Sequence, residues 1–245
     1  GCRSHRDPHA LTGPRLAEHF FRHEYGRLVA LLSRRVGLQH LEAVEDAAQG
    51  ALLVALENWS RAGAPDNPTA WLYRVAHNQL IGDLRQTSRR SRLAEQYGAG
   101  MTEAPDDSAA IILLADVSDD LLRLLFACCD DSIPVESQLA FALRTVCGFD
   151  VREIALRLFA TEAAVSKRLT RARSRLLALR PSPDELDAAS IASRLPAVQS
   201  ILYLMCTEGH LSSHTSVALR RELCDEAKRL MRLLAEHPLC GTPET

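Results

Sequence analysis

Apolar residues recur at spacings of three and four along most of this 245-residue chain. No segment alternates apolar with polar residues, as a half-buried strand would. Leu28, Leu31, Leu32 and Val36 mark one amphipathic helix, and Val44, Ala47, Ala48, Ala51, Leu52 and Ala55 a second. A polar turn, Ser60 to Asn67, carries Gly63 and Pro65 as breakers. Pro68 then suits the first turn of a third helix, where its missing N–H costs nothing. That helix places Trp71, Leu72, Val75, Ala76, Leu80 and Leu84 on one side. Aromatics are only 5% of the chain, which also disfavours strands. The pattern predicts an all-α protein.

Composition divides the chain further. Residues 1–14 read as a charged leader that lacks the apolar stretch of a secretory signal. Residues 15–92 form a first helical domain. Residues 93–117, around Gly98-Ala-Gly100 and Pro105-Asp-Asp107, read as a linker. Residues 118–182 form a second helical domain, closed by Pro181 and Pro183. Residues 183–245 read as a helical extension with helices around Ile191–Met205 and Val217–Glu236. No apolar run reaches the roughly 18 residues of a membrane span. The seven cysteines include no CxxC pair and read as buried free thiols of a cytoplasmic protein.

The stretch Phe149 to Leu177 carries the most chemistry. Asp150 and Glu153 have the spacing of a capping box, and Thr161 that of the next N-cap. Between them Ile154, Ala155 and Leu158 point inward. The spacing of Ala155, Val165 and Leu169 fits two short helices crossing through a tight turn. On the second helix Val165, Leu169, Ala172 and Leu176 share one face, while Ala163, Lys167, Thr170, Arg171 and Ser174 lie opposite. From Thr161 to Arg180 six Lys and Arg stand against one Glu, although the whole chain has a net charge of −2. Such a helix fits a major groove, with base edges and phosphates both in reach.

These residues carry a family resemblance. Glu153-Ile-Ala155, Val165 and Arg168-Leu169-Thr-Arg171-Ala172-Arg173 resemble the helix-turn-helix of region 4 in the sigma-70 family. Glu45-Asp46-Ala47-Ala48-Gln49-Gly50-Ala51 is similar to sigma region 2.2. Asn67-Pro68-Thr-Ala70-Trp71-Leu72-Tyr-Arg74-Val75-Ala76-His-Asn78 is similar to the region that opens and reads the −10 element. Order and spacing resemble the extracytoplasmic-function group. The resemblance implies a non-enzymatic transcription-initiation factor without a cofactor. Its implied partners are the RNA polymerase core, through the β′ clamp helices and β flap, and promoter DNA.

The resemblance implies polymerase contact by Asp46, Gln49, Leu53, Leu56 and Trp59. It implies −10 contact by Asn67, Trp71, Arg74, Asn78, Arg85 and Arg89. Tyr73, Arg90 and Arg92 join the same cationic and aromatic set, suited to melted single strands. It implies −35 contact by Ala163, Ser166, Lys167, Thr170, Arg171, Arg173 and Ser174. Two positions depart from the family pattern: His77 stands where Arg is usual, and Gly82-Asp83 where an Asp-Arg pair is usual.

The extension, with Arg194-Leu-Pro-Ala197, Leu202-Tyr203-Leu204 and Glu222 to Leu230, resembles part of the tetratricopeptide-like tail of one sigma subgroup. An incomplete repeat leaves an apolar face to cover. From Asp184 onward nine acidic residues face six basic ones. That balance predicts a tail docked on the sigma domains, drawn to the basic recognition helix. Regulation then falls to an anti-sigma partner or to the extension itself. Two other readings stand beside this one. Cys206, His210 and His214, spaced by four, could present metal ligands on one face, with no fourth ligand evident. A two-domain helix-turn-helix regulator would carry the same DNA-binding features without needing the Asp46–Trp59 helix to hold polymerase. No GxxxxGK(S/T), GxSxG or HExxH motif supports an enzyme.

Overall fold

Breakers and caps fix where each helix begins and ends. In a computed structural model, which describes residues 14–94, 117–179, 188–211, 217–237 and 240, α1 spans Pro14–Val36 and α2 spans Leu41–Ala62. A single 3-10 turn, Leu38–His40, joins them after Gly37. Helix α2 stops at Gly63, whose φ of 79° suits glycine, and α3 runs over Pro68–Ala94. The second domain holds α4 (Val117–Cys128), α5 (Val135–Thr145), α6 (Val151–Arg157) and α7 (Glu162–Leu179). The extension is a hairpin of α8 (Ala188–Leu211) and α9 (Val217–Glu236). Among the described residues there is no strand. The leader up to residue 13 and most of the linker, residues 95–116, lie outside the described residues.

Both predicted caps of the second domain form. The Asp150 carboxylate accepts from the Glu153 backbone N–H at 2.7 Å, and Glu153 accepts from the Asp150 N–H at 2.9 Å. Thr161 Oγ1 accepts from the Ala164 N–H at 3.2 Å and starts α7. Each cap satisfies a donor that the helix ladder leaves open and stabilises by about 1 kcal/mol. Phe159, in the turn between α6 and α7, has φ 47° and is 99% exposed. No residue type marked it in advance as a left-handed position.

Three groups of buried side chains join in one continuous core. Leu28, Leu32, Val44, Ala48, Leu72 and Leu80 fill the space between α1, α2 and α3. Leu125, Phe141, Leu143, Ile154, Val165 and Leu176 fill the second domain. Val198, Ile201, Leu202, Ala227, Leu230 and Leu234 close the α8–α9 hairpin. Each such Leu, Ile, Val or Phe contributes about 1.5–3 kcal/mol relative to exposure. The six cysteines in the described part are free thiols, and all but the half-buried Cys206 are buried. Burial pushes the Cys129 thiol up to about 12.

Helix α1 links all three groups. It packs on α2 and α3, on α4, and on α9. Helix α8 packs on α4 and α5. The predicted docking of the extension is therefore present, but its seat differs from the predicted one. The seat is α1, α4 and α5, while Lys167, Arg171 and Ser174 on the recognition helix stay exposed. Apolar side chains on α4 and α5 and specific ion pairs hold the tail, whereas net charge alone suggested α7.

Candidate nucleic-acid interface

Helix α7 turns its apolar stripe inward because Val165, Ala172 and Leu176 fall seven and four residues apart, on one side of a 3.6-residue repeat. Leu169, on the same stripe, is half-buried. The opposite side therefore faces solvent. Ala163, Ser166, Lys167, Thr170, Arg171 and Ser174 are exposed, as a groove-reading face requires. Two hydroxyls are turned back onto the helix: Ser166 Oγ donates to Glu162 O at 2.9 Å, and Thr170 Oγ1 to Ser166 O at 3.0 Å. Their lone pairs still face outward, but their protons do not.

Arg173 departs from the predicted face. It is only partly exposed, and its guanidinium pairs with the Glu45 carboxylate of α2, 128 positions away. Glu45 also accepts from Thr145 Oγ1 at 3.0 Å. Burial raises the Glu45 pKa, and the attraction of Arg173 and the Thr145 hydrogen bond only partly offset that. The sequence did hold a signal for Glu45. It stands four residues after Leu41 and three before Ala48, in the buried stripe of α2, so a carboxylate there needs a partner. Arg168 likewise is occupied at its other end, donating to Glu136 of α5 at 2.6 Å.

In the first domain, Arg74, Asn78, Arg85 and Arg89 are all exposed along α3. Their spacings of four, seven and four keep them on one stripe of the helix. Asn67 is exposed and serves as the cap of α3, with its Oδ1 accepting from the Ala70 N–H at 3.1 Å. Trp71 is half-buried against Trp59, with ring centroids 5.5 Å apart at 59°, so the pair forms the seam between α2 and α3. Tyr73 does not join the outward set. It is buried beside Arg35 and His77 and presents no free ring face. His77 is buried as well, and burial followed by the nearby Arg35 lowers its pKa, which favours the neutral ring. The side chains of Arg90 and Arg92 lie outside the described residues.

The outer face of α2 carries a different chemistry. Asp46 and Gln49 are exposed, and Leu53 and Leu56 follow on the same stripe, 62% and 44% exposed. Trp59 ends the stripe, half-buried. An exposed apolar row with an acid and an amide at one end has the chemistry of protein-docking surfaces more than that of nucleic-acid ones. Of the proposed metal ligands, Cys206 is half-buried with its thiol 4.0 Å from the Cys224 carbonyl oxygen. The His210 side chain and His214 lie outside the described residues. Among the described residues, no group of three or more metal-ligating side chains is assembled. No described helix is long and apolar enough to cross a membrane.

Comparison with known proteins agrees with this layout. Residues 20–90 match sigma-70 region 2, and residues 124–176 match sigma-70 region 4. Residues 194–245 match a family of unknown function, DUF6596, which covers α9 and α8 from Arg194 onward. An uncharacterized protein of Rhizobium meliloti (strain 1021) is 39% identical over 197 residues, which are 80% of this chain and 47% of that protein. The chain thus spans about half the length of this relative. With sigma region 2 preceding sigma region 4 and a helical extension following both, the chain belongs to the sigma-70 family, among its members of the extracytoplasmic-function kind.

Proposed function

We propose that the protein is a sigma factor that binds core RNA polymerase, recognises the −35 and −10 promoter elements and directs initiation, without catalysing a reaction itself. One observation carries this reading: the two sigma modules follow each other in the family's order, region 2 and then region 4, each with an exposed face of the expected chemistry. Helix α2 offers Asp46, Gln49, Leu53 and Leu56 to the polymerase clamp. Helix α3 offers Arg74, Asn78, Arg85 and Arg89 to the opened −10 strand, where cations track phosphates and bases find aromatic or apolar faces. The half-buried Trp71 edge lies at the start of the same helix. Helix α7 offers Lys167, Thr170, Arg171 and Ser174 to the −35 major groove. The protein would act in the cytoplasm, where polymerase and promoter are.

The competing assignment, a helix-turn-helix regulator independent of polymerase, has no use for the exposed row on α2. Pull-down with core enzyme and run-off transcription separate the two. The full chain is expected to bind core and start transcripts at its own promoter. Asp46→Arg combined with Leu53→Ala, both on exposed positions, is expected to weaken core binding in a folded protein. Promoter binding without core binding would give the assignment to the regulator.

A further inference from the structure

The described cysteines fall into two kinds. Cys128, Cys129 and Cys147 are buried inside the second domain, and Cys240 is buried as well. Burial pushes the Cys128 thiol well above its ordinary range and the Cys129 thiol up to about 12. Thiols sealed in this way hardly ionise and are inert. Cys206 of α8 and Cys224 of α9 stand differently. They meet across the hairpin, on the turns that flank its junction, α8 ending at Leu211 and α9 starting at Val217.

The Cys206 sulfur lies 4.0 Å from the carbonyl oxygen of Cys224, 18 positions on. The Cys224 thiol is within hydrogen-bonding reach of the same sulfur. A disulfide requires side chains turned toward each other on backbones that are already close. A sulfur seated on its partner's backbone and beside its partner's sulfur leaves that bond to side-chain rotation, with no movement of the helices. Cys206 is half-buried and Cys224 buried, so solvent reaches the pair from the α8 side. Lys228 stands one turn after Cys224 on α9. Its ammonium is within hydrogen-bonding reach of the Cys224 thiol and 3.6 Å from the Asp225 carboxylate. The hydrogen bond to Cys224, and then the charge of that sulfur, raise the Lys228 pKa and keep the cation in place. Burial, followed by the neighbouring Cys224, raises the Cys206 pKa, so the two sulfurs do not ionise together.

We propose that Cys206 and Cys224 are a reversible oxidation site, closed to a disulfide by peroxide, that staples α8 to α9, with Lys228 as its positioning cation. The Cys206 thiolate attacks one peroxide oxygen and the O–O bond breaks. Cys206 becomes a sulfenic acid, and the departing hydroxide takes up a proton as water. The Cys224 thiolate, formed beside the Lys228 ammonium, then attacks the Cys206 sulfur. The S–S bond forms, the S–O bond breaks, and the leaving hydroxide takes up the second proton. The two sulfurs together lose two electrons, the peroxide gains them, and two waters result. A dithiol reverses the bond by exchange. The chemistry belongs to the extension alone and does not depend on polymerase or promoter binding.

The staple has a mechanical consequence. Reduced, the hairpin is held by side-chain packing, with Ile201 and Leu202 of α8 and Ala227 and Leu230 of α9 fully buried. Its helices can open locally without unfolding the rest of the chain. The disulfide closes a loop between positions 18 apart and removes conformations from the opened state. A loop of that size makes opening roughly a hundredfold rarer.

The test exposes the reduced full chain to hydrogen peroxide and reads it by peptide mass mapping after alkylation, a sulfenic-acid trap and amide hydrogen exchange. The expected product is a linked Cys206–Cys224 peptide, lighter by the two thiol hydrogens and reopened by dithiothreitol. Amides of α8 and α9 between the two cysteines should then exchange roughly a hundredfold more slowly. Cys224→Ser is expected to leave trapped sulfenic acid on Cys206, and Cys206→Ser to leave Cys224 reduced at the same exposure. Lys228→Met is expected to slow linking several-fold, and Lys228→Arg to restore it. Linking of any other pair, or a parent in which Cys206 passes to sulfinic acid without linking, overturns the site. A parent with both thiols unreacted at exposures that oxidise its methionines overturns it too. Linking with unchanged exchange overturns the staple, and equal rates in Lys228→Met and parent remove Lys228 from the chemistry. The parent's peptide map decides the site even where a serine variant does not fold.

Discussion

Helices α3 and α7 both present a polar, cationic stripe, but they keep different shares of it. On α3 the stripe Arg74, Asn78, Arg85 and Arg89 is exposed from end to end. On α7 Arg173 is committed to Glu45 and Arg168 to Glu136, so Lys167, Thr170, Arg171 and Ser174 form the remaining face. Counting cations along a helix measures its charge. It does not say which of them a folded chain leaves for nucleic acid. The difference arises because carboxylates come within reach of α7 from both sides, Glu136 from its own domain and Glu45 from the first, whereas the α3 stripe points away from the core.

The sharpest way to break this contrast is Arg173→Ala. It leaves the Glu45 carboxylate buried with the Thr145 hydrogen bond and the more distant Arg144 charge, and is expected to cost about 3 kcal/mol in urea melts near neutral pH. The pH dependence has a definite sign. Burial raises the Glu45 pKa above its unfolded value, so charged Glu45 opposes folding at neutral pH, and this penalty is relieved as pH falls through the folded value toward 4.5. The stability gap between variant and parent should therefore narrow on acidification. A gap that widens would mean that Arg173 acts elsewhere.

Lys167→Ala and Arg171→Ala sharpen the other side of the comparison. If Lys167 meets a base edge, its loss should cost about 2 kcal/mol at one −35 position and little at the others. If Arg171 meets phosphate, its loss should weaken all sequences alike and reduce the salt slope by about 1. Fluorescence titrations on a set of single-base −35 variants across a salt series read both. Unchanged affinity and slope in both variants would remove α7 as the reader.

Two smaller effects compare the backbones. On α3, Gly82 is exposed and a Cβ there meets nothing within 4 Å. Gly82→Ala is expected to raise stability by about 0.8 kcal/mol through helix propensity alone. Next to α7, Phe159 holds a left-handed conformation with its side chain in solvent. Phe159→Gly removes about 1–2 kcal/mol of that strain but adds chain entropy to the unfolded state, for a net gain of about 0.5 kcal/mol. Thermal melts measure both, and a loss of stability in either would show a packing role that the exposed positions do not suggest.

What the sequence determined by itself is what local chemistry controls. The period of apolar residues placed α1, α2, α3 and α7 and the sides they bury. A helix around Val217–Glu236 was legible as well, and one around Ile191–Met205 extends further at both ends, over Ala188–Leu211. Pro68, Gly63, the Asp150–Glu153 box and Thr161 set helix ends because caps and breakers act within four residues. The outward stripes on α2, α3 and α7 followed from the same periodicity. Tertiary structure alone decided the pairings Glu45–Arg173, Arg34–Asp120, Arg27–Glu226 and Arg194–Asp130, which join positions 64 to 199 residues apart. It also turned Tyr73 and His77 inward, although the sequence reading had placed Tyr73 in the outward set and His77 where the family usually carries Arg. The physical reason is range. A helix phase is fixed by neighbours one turn away, but a buried charge selects its partner only after distant elements have packed. The net acidity of the extension could predict that it docks, and not where, because the seat depends on which apolar faces meet and which carboxylates they carry inside with them.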